Sequence, residues 1–295
     1  MKVLILTGGN SSERKISFLS ARNVKKTLMK NGHKVRLYDI KKGYEPIIKL
    51  STDFDVLFPV LHGEEGEGGK LHEFLSKLNK PIVGTRNYKG MQKAWYKIPF
   101  KKYCDENNIP TSSWKIVKNK QDILSFGLPC VLKTSSGGSS REVAVIKSIK
   151  DLNKKSVEKI IKNKNIFVEK YISGIEITVG ILNDKALPLL EIKPTKDSWF
   201  SYKIKYDSST KEIINAPSVN KSIQNEAKNI ALNIHRHFDL GSYSRIDFIV
   251  KDNLTYALEL NTIPGLTSES LLPKQANASG INFSNFIEIL LKDAK

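Results

Sequence analysis

Two runs near the C-terminal end, Arg245-Ile246-Asp247-Phe248-Ile249-Val250 and Tyr256-Ala257-Leu258-Glu259-Leu260-Asn261, alternate in polarity and are rich in β-branched and aromatic residues. Lys251-Asp252-Asn253-Leu254 supplies turn chemistry between them. The pattern predicts an antiparallel hairpin. A turn centred on Asn253 sets Asp247 opposite Glu259 and Arg245 opposite Asn261, and opposite partners lie about 5 Å apart. Two carboxylates that close repel, whereas Mg²⁺ favours a carboxylate or two, waters and phosphate oxygens. A hairpin with one solvated face carries the same acids without any ligand. The following Thr262-Ile263-Pro264-Gly265 favours the metal reading, because a Pro-Gly turn brings bare backbone N–H groups beside it, able to hold an anion or oxyanion. The hairpin therefore points to a magnesium nucleotide site.

With 295 residues, 40% of them apolar, the chain can bury a substantial core and divides into two or three domains. No apolar run approaches the roughly 20 residues that span a membrane. Met1 to Leu6 is too short for a signal peptide and reads as a first buried strand, so a cytoplasmic protein is expected. Cys104 and Cys130 read as reduced structural residues rather than a disulfide or metal pair. The net charge of +18 raises a nucleic-acid partner. The lysines are spread along the whole chain, however, with no arginine-rich or aromatic-interleaved stripe. A solvated lysine-rich surface with neither nucleic acid nor membrane as partner is the better reading.

Residues 1–88 alternate strand and helix, with strands at Val3 to Leu6, Val35 to Tyr38, Asp55 to Leu61 and Pro81 to Val83. Helices are expected from Ser17 to Lys30, on a stripe of Leu19, Ala21, Val24 and Leu28, and around Leu71 to Leu78. This is an open parallel α/β sheet, whose ligands lie beyond the carboxyl ends of the strands. Two loops fall there. Gly8 to Glu13 lacks dinucleotide spacing, and Ser11 or Ser12 either caps the next helix or faces a ligand. His62 to Gly69 is dense in glycine, so His62 reads either as a structural histidine or as a binding residue. Residues 89–180 look like an antiparallel α+β unit. There Lys133 ends a buried strand before a loop of small hydroxyl residues, which either cradles phosphates or simply closes a hairpin. The edge after Ile166 to Tyr171 is placed to read an adenine, with Glu176 taking ribose hydroxyls. Residues 181–295 hold the acidic hairpin, a helix around Gln224 to Phe238 and a final amphipathic helix from Phe283 to Leu291.

Together these segments resemble the D-alanine–D-alanine ligases of the ATP-grasp superfamily, in order and over nearly the full length. The motifs carrying the resemblance are Gly8-Gly9-x-Ser11-x-Glu13-Arg14-x-Ile16-Ser17, His62-Gly63-x-x-Gly66-Glu67, Met91-x-Lys93, Lys133 with Gly138-Ser139-Ser140, Glu169 with Gly174-x-Glu176, Lys205-Tyr206, Arg245-Ile246-Asp247-Phe248, and Glu259-x-Asn261-Thr262-x-Pro264-Gly265-x-Thr267 with Ser270-Leu271. The resemblance implies three domains, 1–88, 89–180 and 181–295, with ATP gripped between the second and third. It implies that Lys93, Lys133 and Lys205 meet ATP, with Glu169, Lys170, Tyr171 and Ile172 around the adenine and Glu176 on the ribose. Asp247, Glu259 and Asn261 would hold two Mg²⁺ ions, for which Mn²⁺ substitutes.

The implied reaction joins two D-alanine molecules through an acyl phosphate. Glu13, Ser139 and Tyr206 would form a hydrogen-bonded triad, and Arg245 and Gly265 would stabilise the oxyanion. His62, Ser270 and Leu271 would hold substrate, and the protein would be a homodimer. Another ATP-grasp carboxylate–amine ligase, using a different amino acid or a hydroxy acid, is the nearest alternative. A non-catalytic nucleotide-binding regulator is a further one. The chain departs from the family pattern at Gly68, Gln92, Arg141 and Glu142, and its tyrosine loop from Phe200 to Tyr206 is more basic.

Overall fold

The computed structural model describes residues 1–137, 142–194 and 210–295. The expected Ser139, Lys205 and Tyr206 lie outside the described residues, as does the departure at Arg141.

The N-terminal part runs β1 (Lys2–Thr7), α1 (Arg14–Lys30), β2 (Lys34–Asp39), α2 (Glu45–Ser51), β3 (Val56–Pro59) and α3 (Lys70–Leu75). Its sheet is parallel, in the order β2-β1-β3. β1 and β3 are buried along almost their whole length, as a sheet covered on both faces requires. The expected fourth strand is a single parallel bridge from Ile82 to Leu57. Pro81 has no N–H to give a ladder, and the groups Ile82 keeps bond to Lys295 at the chain end instead. On α1 the buried face is Ser17, Ser20, Ala21, Val24 and Leu28. Leu19 is half exposed rather than part of the packed stripe.

Two helices, α4 (Tyr88–Trp95) and α5 (Lys97–Glu106), lead into an antiparallel sheet of β4 (Trp114–Val117), β5 (Cys130–Thr134), β6 (Val143–Ile146) and β7 (Ile166–Lys170), ordered β4-β7-β5-β6. Helices α6 (Lys120–Phe126) and α7 (Lys155–Ile161) belong to this unit, and a separate apolar core fills it. This is the α+β unit the sequence implies.

The last sheet is antiparallel and contains β8 (Ile175–Leu182), β9 (Lys185–Ala186), β10 (Leu190–Pro194), β11 (Thr210–Ile214), β12 (Tyr243–Lys251) and β13 (Leu254–Asn261). β8 pairs with β12 along its length, so the expected boundary at 180 cuts a strand that belongs wholly to this sheet. Helix α8 (Lys221–His237) packs on β8, β12 and β13, while α9 (Leu271–Ala278) and α10 (Phe283–Lys292) follow the hairpin. One apolar core joins this sheet to β1, β3 and α1, so the acidic hairpin is anchored in the rigid centre of the molecule. Both cysteines are free and buried, and burial pushes their thiols up to about 12 at Cys104 and about 11 at Cys130.

Candidate active site

The hairpin turns tightly through Asp252 and Asn253, both left-handed with φ of 50° and 60°. Lys251 pairs with Leu254, and the ladder runs regularly to Phe248 opposite Ala257. Continued unchanged, it would set Leu258 opposite Asp247 and turn Glu259 to the other face. A bulge intervenes between Asp247 and Phe248, and beyond it Asp247 pairs with Glu259 and Arg245 with Asn261. The expected pairing holds, but through a bulge rather than a turn centred on Asn253.

Asp247 is buried and saturated with hydrogen bonds. Arg245 donates Nε to Oδ1 at 2.9 Å and Nη2 to Oδ2 at 2.8 Å, Thr178 donates Oγ1 to Oδ1 at 2.6 Å, and Asn261 donates Nδ2 to Oδ2 at 3.1 Å. Burial works against the Arg245 charge, but Asp247, Glu259 and Glu67 outweigh it and hold the guanidinium above its ordinary value. Glu259 is more open, with Oε2 lying 3.7 Å from Lys97 Nζ.

Two clefts meet at these residues. The first, of about 1180 Å³, is lined by Glu13, His62, Arg245, Asn261, Gly265 and Ser270, among others, with Leu271 at its edge. The second, of about 980 Å³, is lined by Lys133, Lys170, Tyr171, Ile172, Glu176 and Asp247, among others. Lys97, Gly137 and Glu259 line both. A Cβ on Gly265 would fall 2.7 Å from Ser270 Oγ, so a side chain there would displace that hydroxyl at this corner of the first cleft. Ser270 Oγ in turn accepts from the Thr267 N–H at 3.2 Å.

The N-terminal loops close the first cleft. Ser11 Oγ donates to the His62 carbonyl at 3.0 Å and His62 N–H donates to Ser17 Oγ at 3.0 Å, so two serines clamp the His62 backbone. Ser11 also accepts from Glu13 N–H at 3.2 Å, and Glu13 itself occupies the N-cap position of α1. His62 Nδ1 lies 3.5 Å from Glu67 Oε1, and Glu67 Oε2 accepts from Gly63 N–H at 2.8 Å. Burial raises the Glu67 pKa, but His62, Gly63 and Arg245 more than offset it and keep the carboxylate below its ordinary range. Thr262 donates to the Glu67 carbonyl at 2.8 Å, which ties this loop to the end of β13.

At the second cleft the buried Glu169 is held by Lys133, by Lys101 at 2.5 Å and by Ser112 Oγ at 2.7 Å. Burial raises its pKa, yet Lys101 and Lys133 bring it down to about 2. Glu169 thus positions lysines, while Lys170, Tyr171, Ile172 and Glu176 follow it along the cleft wall. Glu142, one of the departures, accepts from Thr134 Oγ1 at 2.8 Å and lies at the base of the loop after β5.

Of the expected residues, Lys93 is exposed and lines neither cleft. Lys97, at the start of α5, lines both clefts: it is buried, donates to the Gly137 carbonyl at 2.7 Å and faces Glu259. The Lys93-x-x-x-Lys97 spacing offers both lysines, and only the break between α4 and α5 separates them. Glu67 and Thr178 were also not foreseen as site residues. Thr178 was not to be found without knowing that β8 lies beside β12.

Among the described residues no group of three or more Cys, His, Asp and Glu is placed to hold a metal. The candidate set is instead two carboxylates and an amide, Asp247, Glu259 and Asn261. Each carries a hard side-chain oxygen of the kind Mg²⁺ or Mn²⁺ takes; Glu259 is the open member, and an ion on Asp247 would replace hydrogen bonds that Arg245 and Asn261 now make to it.

Residues 98–292 match the family model for the D-ala D-ala ligase C-terminus. The D-alanine–D-alanine ligase of Maridesulfovibrio salexigens is 32% identical over 303 residues, covering 99% of this chain and 98% of its own. The crystal structure of the D-alanine–D-alanine ligase from Bacillus anthracis superposes with a TM-score of 0.87 at 29% identity, covering 99% of this chain and 97% of that one. The same Bacillus anthracis enzyme complexed with ATP gives a TM-score of 0.85 at 27% identity over the same shares. With the acidic hairpin between two clefts and likeness over the full length, the chain belongs to the D-alanine–D-alanine ligase family and has its ATP-grasp fold.

Proposed function

We infer that the chain uses ATP to join two D-alanine molecules into D-alanyl-D-alanine, a building step of peptidoglycan precursors. The observation that carries this reading is the junction of two clefts at Lys97 and Glu259. One cleft presents lysines suited to phosphates, and the other presents Glu13, His62, Arg245 and Ser270, suited to a small zwitterion. Family membership supports the same reaction, and a relative solved with ATP supports the nucleotide.

A carboxylate is a poor electrophile and must first be activated. Lys97 and Lys133 bind the phosphates and offset the charge that moves as the carboxylate oxygen of the first D-alanine attacks the γ-phosphorus and ADP departs. Lys170 to Ile172 frame the adenine and Glu176 the ribose. The amine of the second D-alanine then attacks the acyl phosphate, an oxyanion forms and inorganic phosphate leaves. Arg245 and the Gly265 N–H face that oxyanion, and one such donor is worth about 3 kcal/mol of barrier. Glu13 pairs with the first ammonium, held in place by the Ser11–His62 clamp. Ser270, Leu271 and Arg245 receive the second carboxylate. Ser139 and Tyr206 complete a triad with Glu13, and Lys205 reaches ATP, on the family resemblance alone.

Asp247, Glu259 and Asn261 would hold Mg²⁺, or Mn²⁺ in its place, which when bound neutralises phosphate charge. The same proposal takes the chain as three domains, 1–88, 89–180 and 181–295. Among the described residues no helix is long and apolar enough to cross a membrane. A cytoplasmic homodimer completes the proposal, and size-exclusion chromatography with light scattering tests the dimer.

The deciding experiment is ADP release and product mass with ATP, Mg²⁺ and D-alanine, set beside L-alanine, D-serine and D-lactate plus D-alanine. Dipeptide from D-alanine alone, lost in Glu259→Gln, supports the reading. Turnover only with another pair would overturn the assigned substrate.

A further inference from the structure

Lys101 has no part in the chemistry above, and yet it is fully buried, on α5 one helical turn beyond Lys97. Its Nζ lies 2.5 Å from Glu169 Oε2, 2.6 Å from Thr111 Oγ1 and 2.8 Å from Ser112 Oγ. Both hydroxyl hydrogens are committed elsewhere. Thr111 Oγ1 donates to the Ala257 carbonyl at 2.7 Å, and Ser112 Oγ donates to Glu169 Oε2 at 2.7 Å. Each hydroxyl must therefore accept from Lys101, and so does the carboxylate. Only an ammonium has three N–H donors, so Lys101 is charged in spite of its burial.

Glu169 thus carries two ammonium groups, Lys101 and Lys133. Lys133 lines the second cleft and Lys101 does not. One anion shared between two cations leaves the cluster with a net positive charge, and Lys133 is the member able to show it to a ligand. The Thr111 hydroxyl adds a mechanical tie. It connects Lys101 to Ala257, two residues before Glu259 on β13, where Thr111 also forms a bridge.

We propose that Lys101 is a charge-sharing positioning residue for nucleotide binding: by drawing on Glu169 it leaves Lys133 net cationic toward the phosphates, and it fixes α5, with Lys97, against β13. This rests on the reading that the second cleft takes ATP. Without Lys101, Glu169 neutralises Lys133 one to one. The predicted defect is therefore specific to charged ligands, which a simple loss of packing is not.

The test is equilibrium binding of ADP and of adenosine to the full chain, as wild type, Lys101→Met and the double variant Lys101→Met with Glu169→Gln. Lys101→Met is expected to weaken ADP by about tenfold or more and adenosine by less than about twofold. The double variant removes the competing anion together with the cation, and its preference for ADP over adenosine is expected to return to within about threefold of the wild-type ratio. Equal losses for ADP and adenosine in Lys101→Met would overturn the proposal. The double variant leaves no unpaired carboxylate in the cluster, so it decides the matter even where Lys101→Met does not fold. A folded double variant whose preference for ADP over adenosine stays about tenfold below the wild-type ratio also overturns it. Wild type that binds no ADP would instead overturn the nucleotide reading itself, a distinct outcome.

Discussion

Lys97 Nζ lies 3.7 Å from Glu259 Oε2, so a lysine from the helical connection meets a carboxylate of the acidic hairpin. Its other bond, to the Gly137 carbonyl, holds the start of the loop after β5. Replacing Lys97 by Ala removes a phosphate partner and a loop anchor together. The expected outcome is a fall of about 100-fold in kcat/KM for ATP. Lys93→Ala, exposed and outside both clefts, is expected to stay within about twofold. Steady-state kinetics with ATP varied distinguishes them.

Arg245 and Asp247 are tested as a pair. Arg245→Ala leaves the Asp247 carboxylate buried without its bidentate partner, and losing one member of a buried pair costs about 3 kcal/mol or more. Chemical denaturation should show that loss alongside abolished turnover. Glu259→Gln, at a more open position, should lose turnover while keeping the wild-type denaturation midpoint.

Gly265→Ala places a methyl 2.7 Å from Ser270 Oγ. The serine must move, and with it the cleft wall assigned to the second substrate. KM for D-alanine should rise several-fold with little change in ADP affinity. An unchanged KM would remove Ser270 from that role.

Glu169 carries a pH signature. Its carboxyl is held at about 2 against an ordinary 4.5, so protonation is harder in the folded chain. The stabilisation is complete above about pH 4.5 and is lost as pH falls toward 2. Its size is about 3 kcal/mol by linkage. Denaturation curves across this window should steepen in wild type and flatten in Glu169→Gln.

Much of this was legible in the chain itself. Alternation in two runs, a turn between them and acids at matching positions were sufficient for the hairpin, because strand periodicity is local. His62 was read as a candidate from a loop at a strand end, where an α/β sheet opens its ligand site, and Gly265 from the Pro-Gly turn after the hairpin, whereas the roles of Glu13 and Ser270 came only with the family resemblance. The bulge between Asp247 and Phe248 was not legible, since inserting one residue leaves the alternation intact on either side of it. The short fourth strand was misjudged for a similar reason. Three apolar residues promise a strand, but whether Ile82 bonds to a neighbour strand or to Lys295 is settled only by where the chain end lies.

The sequence by itself determined the types of element, the acidic hairpin and the family. Tertiary structure decided which of two lysines lines the clefts. Lys93 and Lys97 are equivalent as a pattern, and only the break in the helix turns one outward and buries the other beside Glu259. It also decided the pairing of Glu169 with Lys101 and Lys133, and of Thr178 with Asp247. Charge balance in a buried cluster depends on distances between segments far apart in the chain, and no local periodicity encodes those.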